Sequence, residues 1–271
     1  MASAISGCTD TLIEIGTLAS QRDESYKELI NGLQQKHHDI INALLPREKQ
    51  EESLEVCDSL FDSLRSIAQG VYLLGELSPA SLDAIQSFGE LWSTKILATK
   101  LASIGIETKW IDSRNIIRTV AKGEKNIVDI QKTYYRVNEM VENNNQTQLF
   151  VLPGFIASDK QGRTTTLGRG GSDYTASLIG AAIQAEEIQI WTDIDGMHNN
   201  DPRIVDNTEP VHQLNFEEAA ELAYFGAKIL HPTCVQPAKN AGIPVALKNT
   251  MEPDAPGTII NNELQRGTIK A

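Results

Sequence analysis

The chain has 271 residues, enough for one large domain or two small ones. Twenty-four Lys and Arg against 36 Asp and Glu leave a formal charge of −12, which argues against nucleic acid as the main partner, because phosphate backbones need a basic footprint. A hydrophobic fraction of 41% with 22% charged residues is that of a globular protein rather than a disordered one. No apolar run is long enough to cross a bilayer, and the first seven residues have neither the basic stretch nor the apolar core of a signal peptide. Cys8, Cys57 and Cys234 are far apart, odd in number, and form no ligand cluster with His37, His38, His198, His212 or His231. They read as three unpaired thiols of a reducing, cytoplasmic compartment.

In chain order, Leu29, Leu33, His37, Ile40 and Leu44 recur three or four apart, as do Cys57, Leu60, Leu64, Ile67, Val71 and Leu74. These stripes predict two amphipathic helices joined at Pro46. A third helix is predicted over 81–104, with Pro79 ahead of it, Ser81 as its cap and Gly105 as its stop. Strands and helices then alternate: a strand over 108–112, a helix over 129–141, a buried strand over 148–152, a helix over 172–185, a strand over 188–191, helices over 216–229 and 232–240, and a strand over 244–248. That alternation points to an α/β fold with a largely parallel sheet covered on both faces. Ligands of such sheets bind beyond the carboxyl ends of the strands. No linker divides the chain, so residues 1–271 read as one domain.

Three segments carry chemistry. Gly168-Arg-Gly-Gly-Ser-Asp173 opens the helix near Ser172. Its glycines allow close backbone approach, and amides at a helix start attract anions. Arg169 can grip a carboxylate in a two-pronged way, and Asp173 falls in the first turn, where negative charge is favoured. A plain helix start with a capping acid would share these features; Arg, Ser and Asp packed into one turn favour a site. Trp191-Thr-Asp193 ends a strand and is followed by Asp195-Gly-Met-His198 and Asp201-Pro-Arg203. A strand-end Thr-Asp pair can hold a ribose or orient a cation and Arg203 can reach phosphate, although Asp-Gly and Asp-Pro alone would make turns. Lys228, between apolar neighbours in Tyr224-Phe-Gly-Ala-Lys-Ile-Leu-His-Pro232, suits either a phosphate or a helix carboxyl end.

Six segments occur in order: Ser3-Ala-Ile-Ser-Gly-Cys-Thr-Asp10, Ser87-Phe-Gly-Glu-Leu-Trp-Ser93, Gly168-Arg-Gly-Gly-Ser-Asp173, Trp191-Thr-Asp-Ile-Asp-Gly196, Asp201-Pro-Arg203 and Phe225-Gly-Ala-Lys-Ile-Leu-His-Pro232. With them the chain resembles the catalytic domain of aspartokinase, in the amino acid kinase superfamily, over essentially its whole length. Leu247-Lys-Asn-Thr250 with Ala255-Pro-Gly-Thr258 is similar to the kinase domain of bifunctional aspartokinase–homoserine dehydrogenases.

The resemblance implies a three-layer α/β/α sandwich and ATP-dependent phosphorylation of the L-aspartate side chain to 4-phospho-L-aspartate, which begins lysine, threonine and methionine biosynthesis. Catalysis would be mostly positioning and charge neutralisation, with Mg²⁺ carried on the nucleotide and no protein metal site. The resemblance places Glu90, which alone would read as a solvated helix glutamate, on the substrate ammonium, and Arg169 on the α-carboxylate. Ser3, Thr9 and Ser172 would hydrogen-bond aspartate, and Asp173 would organise the catalytic cation beside the transferring phosphoryl. Thr192 and Asp193 would border the nucleotide. His198 would stack near the base, where a tyrosine is usual, and Arg203 and Lys228 would contact phosphates. A cytoplasmic homo-oligomer is implied for the full-length parent.

Two departures carry expectations. The family's opening strand, ending in Lys-Phe-Gly-Gly-Thr-Ser, has no counterpart, so the first strand, the first helix and most of the second strand are expected to be missing. Loss of one oxyanion-type stabiliser typically costs about 10²–10³ in rate. The regulatory ACT modules that follow in the family are also expected to be absent, and with them a lysine or threonine feedback site. Two other readings compete: a non-catalytic fragment that binds nucleotide or aspartate, and a relative that phosphorylates glutamate, acetylglutamate or UMP. The helical stretch over 23–74 and the Ser-Phe-Gly-Glu motif speak against the second of these.

Overall fold

The computed structural model describes residues 1–123, 125–200, 205, 207–225 and 232–263. They fall into two compact units, Met1–Asp129 with Met140–Leu167, and Ile130–Glu139 with Gly168–Ala271.

The first unit is built on helices α1 (Cys8–Ser20), α2 (Tyr26–Leu44) and α3 (Arg47–Leu74), which pack on one another. The predicted stripe of α2 is displaced. Its buried residues are Tyr26, Ile30, Leu33, His37 and Ile41, while Leu44 is exposed. In α3 the buried face is Cys57, Phe61, Leu64, Ala68 and Val71. Leu74 is exposed because the helix stops there, at Gly75 in the left-handed region (φ +71°). The stretch over 81–104 is two helices, α4 (Pro79–Gln86) and α5 (Phe88–Ser103). The cap is Ser78 rather than Ser81: its Oγ accepts from the Ser81 amide at 3.1 Å, and Pro79, with φ already set for a helix, takes the first helical position. Ser87 makes the break between them, its Oγ bonded to the Ala84 carbonyl at 2.7 Å. Gly105 terminates α5 as predicted, at φ +85°.

Phe61 and Trp92 stack at 4.0 Å between centroids, with His37 edge-on to Phe61. This aromatic cluster joins α2, α3 and α5 into one core. Among the described residues, three two-stranded sheet pieces complete the unit. β1 (Thr108–Trp110) runs parallel to β4 (Leu149–Val151). β2 (Thr119–Lys122) and β3 (Lys125–Val128) form an antiparallel ribbon, as do β5 (Ile156–Ser158) and β6 (Thr164–Thr166). The strand predicted as buried over 148–152 is buried only at Val151 and Leu152, and Leu149 is exposed.

The second unit begins with most of α6 (Ile130–Glu142) and contains α7 (Gly171–Ala182), β7 (Ile188–Thr192), β8 (Gln213–Asn215), α8 (Phe216–Phe225), a 3₁₀ turn (Pro232–Val235), α9 (Gln236–Ala241), β9 (Val245–Asn249) and β10 (Thr258–Asn261). Its sheet has the order β7-β9-β10-β8, parallel at β7–β9 and β10–β8 and antiparallel at β9–β10. α7 closes onto β7 where Gly180 stands; a Cβ there would lie 2.5 Å from Ile188 Cγ1. α8 opens with a reciprocal cap, Glu218 N to Asn215 Oδ1 and Asn215 N to Glu218 Oε2, both 2.8 Å. The predicted helix over 216–229 is seen to Phe225, and 226–231 lie outside the described residues. The helix predicted over 232–240 is a 3₁₀ turn leading into α9, whose first turn accepts Pro237 because no N–H is needed there. The α/β class is thus borne out, with parallel pairing at three of the six strand pairs of the described residues. Among those residues no helix is long and apolar enough to cross a membrane.

Candidate functional site

Two groups of the sequence-predicted residues assemble, one in each unit. In the first unit, residues 2–8 run beside the 152–154 segment, with Ala2 N bonded to Leu152 O at 3.0 Å and Gly154 N to Ala2 O at 2.9 Å. Lys36 Nζ holds the turn through the Ser6 carbonyl at 2.8 Å, and Gly7 enters α1 at φ +76°. This course brings Ser3, Thr9 and Glu90 into one neighbourhood. Ser3 is exposed and its carbonyl accepts from Ser93 Oγ at 2.7 Å; Thr9 is half-buried in the first turn of α1. Glu90 is only 3% exposed, and its Oε1 accepts from Ala4 N at 3.3 Å. Close packing is possible because residue 89 is glycine: a Cβ there would lie 2.8 Å from Ala4 Cβ.

Glu90 Oε2 has no hydrogen-bond partner among the described residues. Burial raises its pKa from 4.5 to about 7. Burial, with Glu90 nearby, likewise pushes the Cys8 thiol to about 12.

In the second unit Gly168 (φ +73°) and Gly170 (φ +68°) turn the chain into α7 in left-handed conformations. That turn presents Arg169, Ser172 and Asp173 together. Arg169 is exposed, and its side chain is in no ion pair with a described residue. Asp173 is half-buried in the first turn, and burial raises its pKa to about 6. At the end of β7, Thr192 Oγ1 donates to Asp193 Oδ1 at 3.1 Å. His198 has both ring nitrogens engaged, Nε2 with Asp195 Oδ1 at 2.6 Å and Nδ1 with Thr208 Oγ1 at 2.9 Å, so any stacking would use the ring face alone. Gly196 brings this loop against β10, where a Cβ would meet Thr258 Oγ1 at 2.5 Å. Arg203 and Lys228 lie outside the described residues.

Sequence reasoning missed three residues here. Asp195 orients His198, and its spacing three residues ahead in an Asp-Gly turn is the signal that could have found it. Asp83 Oδ1 accepts from Thr166 Oγ1 at 2.7 Å and anchors β6, which leads into the glycine turn. Phe155 sits at φ +65°, a strained conformation for a bulky residue, and its carbonyl accepts from Leu167 N at 2.8 Å.

Against known proteins, the model of the Amino acid kinase family matches residues 2–249. The lysine-sensitive aspartokinase 3 of Escherichia coli is 34% identical over 274 residues, covering 97% of this chain and 57% of the relative. A bifunctional aspartokinase/homoserine dehydrogenase 2 of Arabidopsis thaliana is 32% identical over 259 residues, 95% of this chain and 28% of the relative. The solved structure of E. coli aspartokinase III in complex with aspartate and ADP matches with a TM-score of 0.87 at 33% identity, over 97% of this chain and 57% of that one. The chain therefore spans between about a quarter and three fifths of the length of these relatives.

Proposed function

This chain belongs to the amino acid kinase family, and we propose that it transfers the γ-phosphoryl group of ATP to the side-chain carboxylate of L-aspartate, giving 4-phospho-L-aspartate. Glu90 carries the reading. A carboxylate that is 3% exposed, with one oxygen unpartnered among the described residues, is costly when ionised unless a cation joins it. The ammonium of an amino acid is such a cation. The related E. coli enzyme was solved with aspartate and ADP, which supports aspartate as that amino acid.

The remaining roles follow from charge. Arg169, an exposed guanidinium on a glycine turn, offers two parallel donors to the substrate α-carboxylate. Ser3, Thr9 and Ser172 supply neutral hydrogen bonds to the same substrate. The amides at the start of α7 face negative charge favourably, and Thr192, Asp193 and His198 border the nucleotide, with Arg203 and Lys228 reaching its phosphates. Mg²⁺ fits the one acidic side chain of this turn, because that ion commonly takes one or two carboxylates together with phosphate oxygens and water. When bound it neutralises charge between the two anions that must meet. Asp173 holds its carboxylate ready for that cation, and its half-burial keeps water from screening the interaction. The same reading places the protein in the cytoplasm, in lysine, threonine and methionine synthesis, and as a homo-oligomer.

The test is a coupled ADP-release assay with L-aspartate, L-glutamate, N-acetyl-L-glutamate and UMP, run beside calorimetry with L-aspartate. ADP release with aspartate alone is expected. Aspartate inert and unbound, or outpaced by another acceptor, would refute the assignment; aspartate bound without ADP release would establish a binding fragment instead.

A further inference from the structure

The first unit contains a cavity of about 320 Å³ that none of the residues discussed for the phosphoryl-transfer site lines, apart from the neighbouring α5 helix itself. Its walls come from α3, α5 and β1. Leu60, Trp92 and Ile96 supply apolar surface, and Lys95 and Trp110 supply the polar end. A volume near the lower end of the ~300–1,000 Å³ range of ligand pockets suits a molecule well below nucleotide size.

Lys95 is what points to a ligand. It is half-buried, and its ammonium lies 3.8 Å from the centroid of the Trp110 ring. Desolvation pulls its pKa below the usual lysine value. No described carboxylate pairs with it. Asp112, whose charge it feels, is taken by Arg114 at 2.6 Å, and Glu52 at the cavity rim is paired with Lys49 at 3.8 Å. A partly buried ammonium left without a counter-ion is unfavourable, and an anion delivered by a ligand removes that penalty. The Trp110 ring is pre-set for contact: its Nε1 donates to Thr94 Oγ1 at 2.9 Å, and that hydroxyl donates to the Glu90 carbonyl at 2.7 Å.

We propose that this cavity binds a small apolar monocarboxylate, with the carboxylate on Lys95 and the hydrocarbon body against Trp92, Leu60 and Ile96. Lys49 and Glu52 at the rim offset each other, so Lys95 is left to answer a single negative charge rather than a dianion such as a phosphate ester. With both nearby acids already paired, no carboxylate is left for an ammonium, which disfavours a zwitterionic amino acid.

The readout is built in, since Trp92 and Trp110 are two of the three tryptophans and the third, Trp191, lies exposed on β7. In a Trp191→Phe background, 3-phenylpropionate is expected to give a saturable change in fluorescence, with the uncharged isostere 3-phenylpropanamide binding more weakly. Lys95→Met should weaken the acid by about tenfold or more, the worth of a charge-assisted hydrogen bond, and leave the amide unchanged. Lys95→Arg should restore the preference for the acid. Calorimetry of the unsubstituted chain with the same two probes needs no variant to fold and decides alone if one does not. Equal affinity for acid and amide, indifference to Lys95→Met, or no saturable response on the folded chain would each overturn the proposal. None of these readouts depends on the kinase assignment.

Discussion

Replacing Glu90 with Gln keeps the side chain's shape and removes its charge, and the consequence for stability depends on pH. In the folded chain this carboxyl titrates at about 7 rather than 4.5. A raised folded value means that the native state binds the proton more tightly than the unfolded chain does. The native state is therefore favoured by this group below pH 4.5 and loses that advantage as pH rises through about 7. At ~1.4 kcal/mol for each pH unit of the gap, the ionised group costs about 3 kcal/mol above pH 7. Below pH 4.5 an un-ionised acid and an amide each leave one polar group unpaired, so Glu90→Gln should match the unsubstituted chain there. At pH 8 it should be more stable by about 3 kcal/mol. The assay is urea unfolding across pH 5–8, followed through the fluorescence of Trp92, which is 1% exposed and two positions along α5. Adding L-aspartate should then stabilise the unsubstituted chain selectively, because only it offers a negative partner to the ammonium. A difference that stays constant with pH, or a variant that is less stable at pH 8, would refute the reasoning.

Arg169→Ala should raise the aspartate KM by about 10–100-fold, the worth of a charged two-pronged contact, and leave the ATP KM nearly unchanged; steady-state kinetics showing equal effects on both would count against its role. Asp173→Asn should lower kcat by about 10²–10³. Because burial holds Asp173 at about 6, the unsubstituted chain should gain activity as pH rises toward that value, or below it once a cation is bound, and a pH–rate profile of the variant should lack this limb. Gly89→Ala forces a Cβ to 2.8 Å from that of Ala4. Overpacking of about 1–3 kcal/mol, partly offset by the ~1 kcal/mol that Ala gains in a helix, should lower Tm and raise the aspartate KM, whereas an unchanged melting curve would show that the 2–8 segment yields freely.

The long amphipathic helices α2 and α3 were legible because their apolar residues repeat over many turns. α1 was not, although it is a buried helix: it starts at a left-handed glycine with no side-chain cap, so no start signal marks it. The break at Ser87 was invisible because it is slight: residues on either side favour helix, and Ser87 itself keeps helical angles (φ −61°, ψ −22°) with its N–H on Asp83 O at 3.1 Å. Strands of three or four residues, such as β2, β3, β5 and β6, are too short to show a period of two. At the site, the glycine turn around Arg169 was readable from residue types alone. Glu90 was not; its importance lies in burial, and burial depends on Gly89 and Ala4 meeting across 85 positions of chain. The strained Phe155 was equally hidden, since nothing in a phenylalanine announces a positive φ.

All three thiols are buried, and each is held well above its ordinary pKa, Cys8 and Cys57 at about 12 and Cys234 at about 11. Alkylation and disulfide exchange need both access and a thiolate, and the native state supplies neither, so these sulfurs give oxidants little to act on. They become clocks instead. Cys8 and Cys57 belong to one unit and Cys234 to the other, so the rate at which each is labelled reports how often its own surroundings open. Cys57 also stands in the wall of the Lys95 cavity, so labelling of Cys57 ahead of Cys8 would report that this wall opens locally while the rest of the unit stays shut.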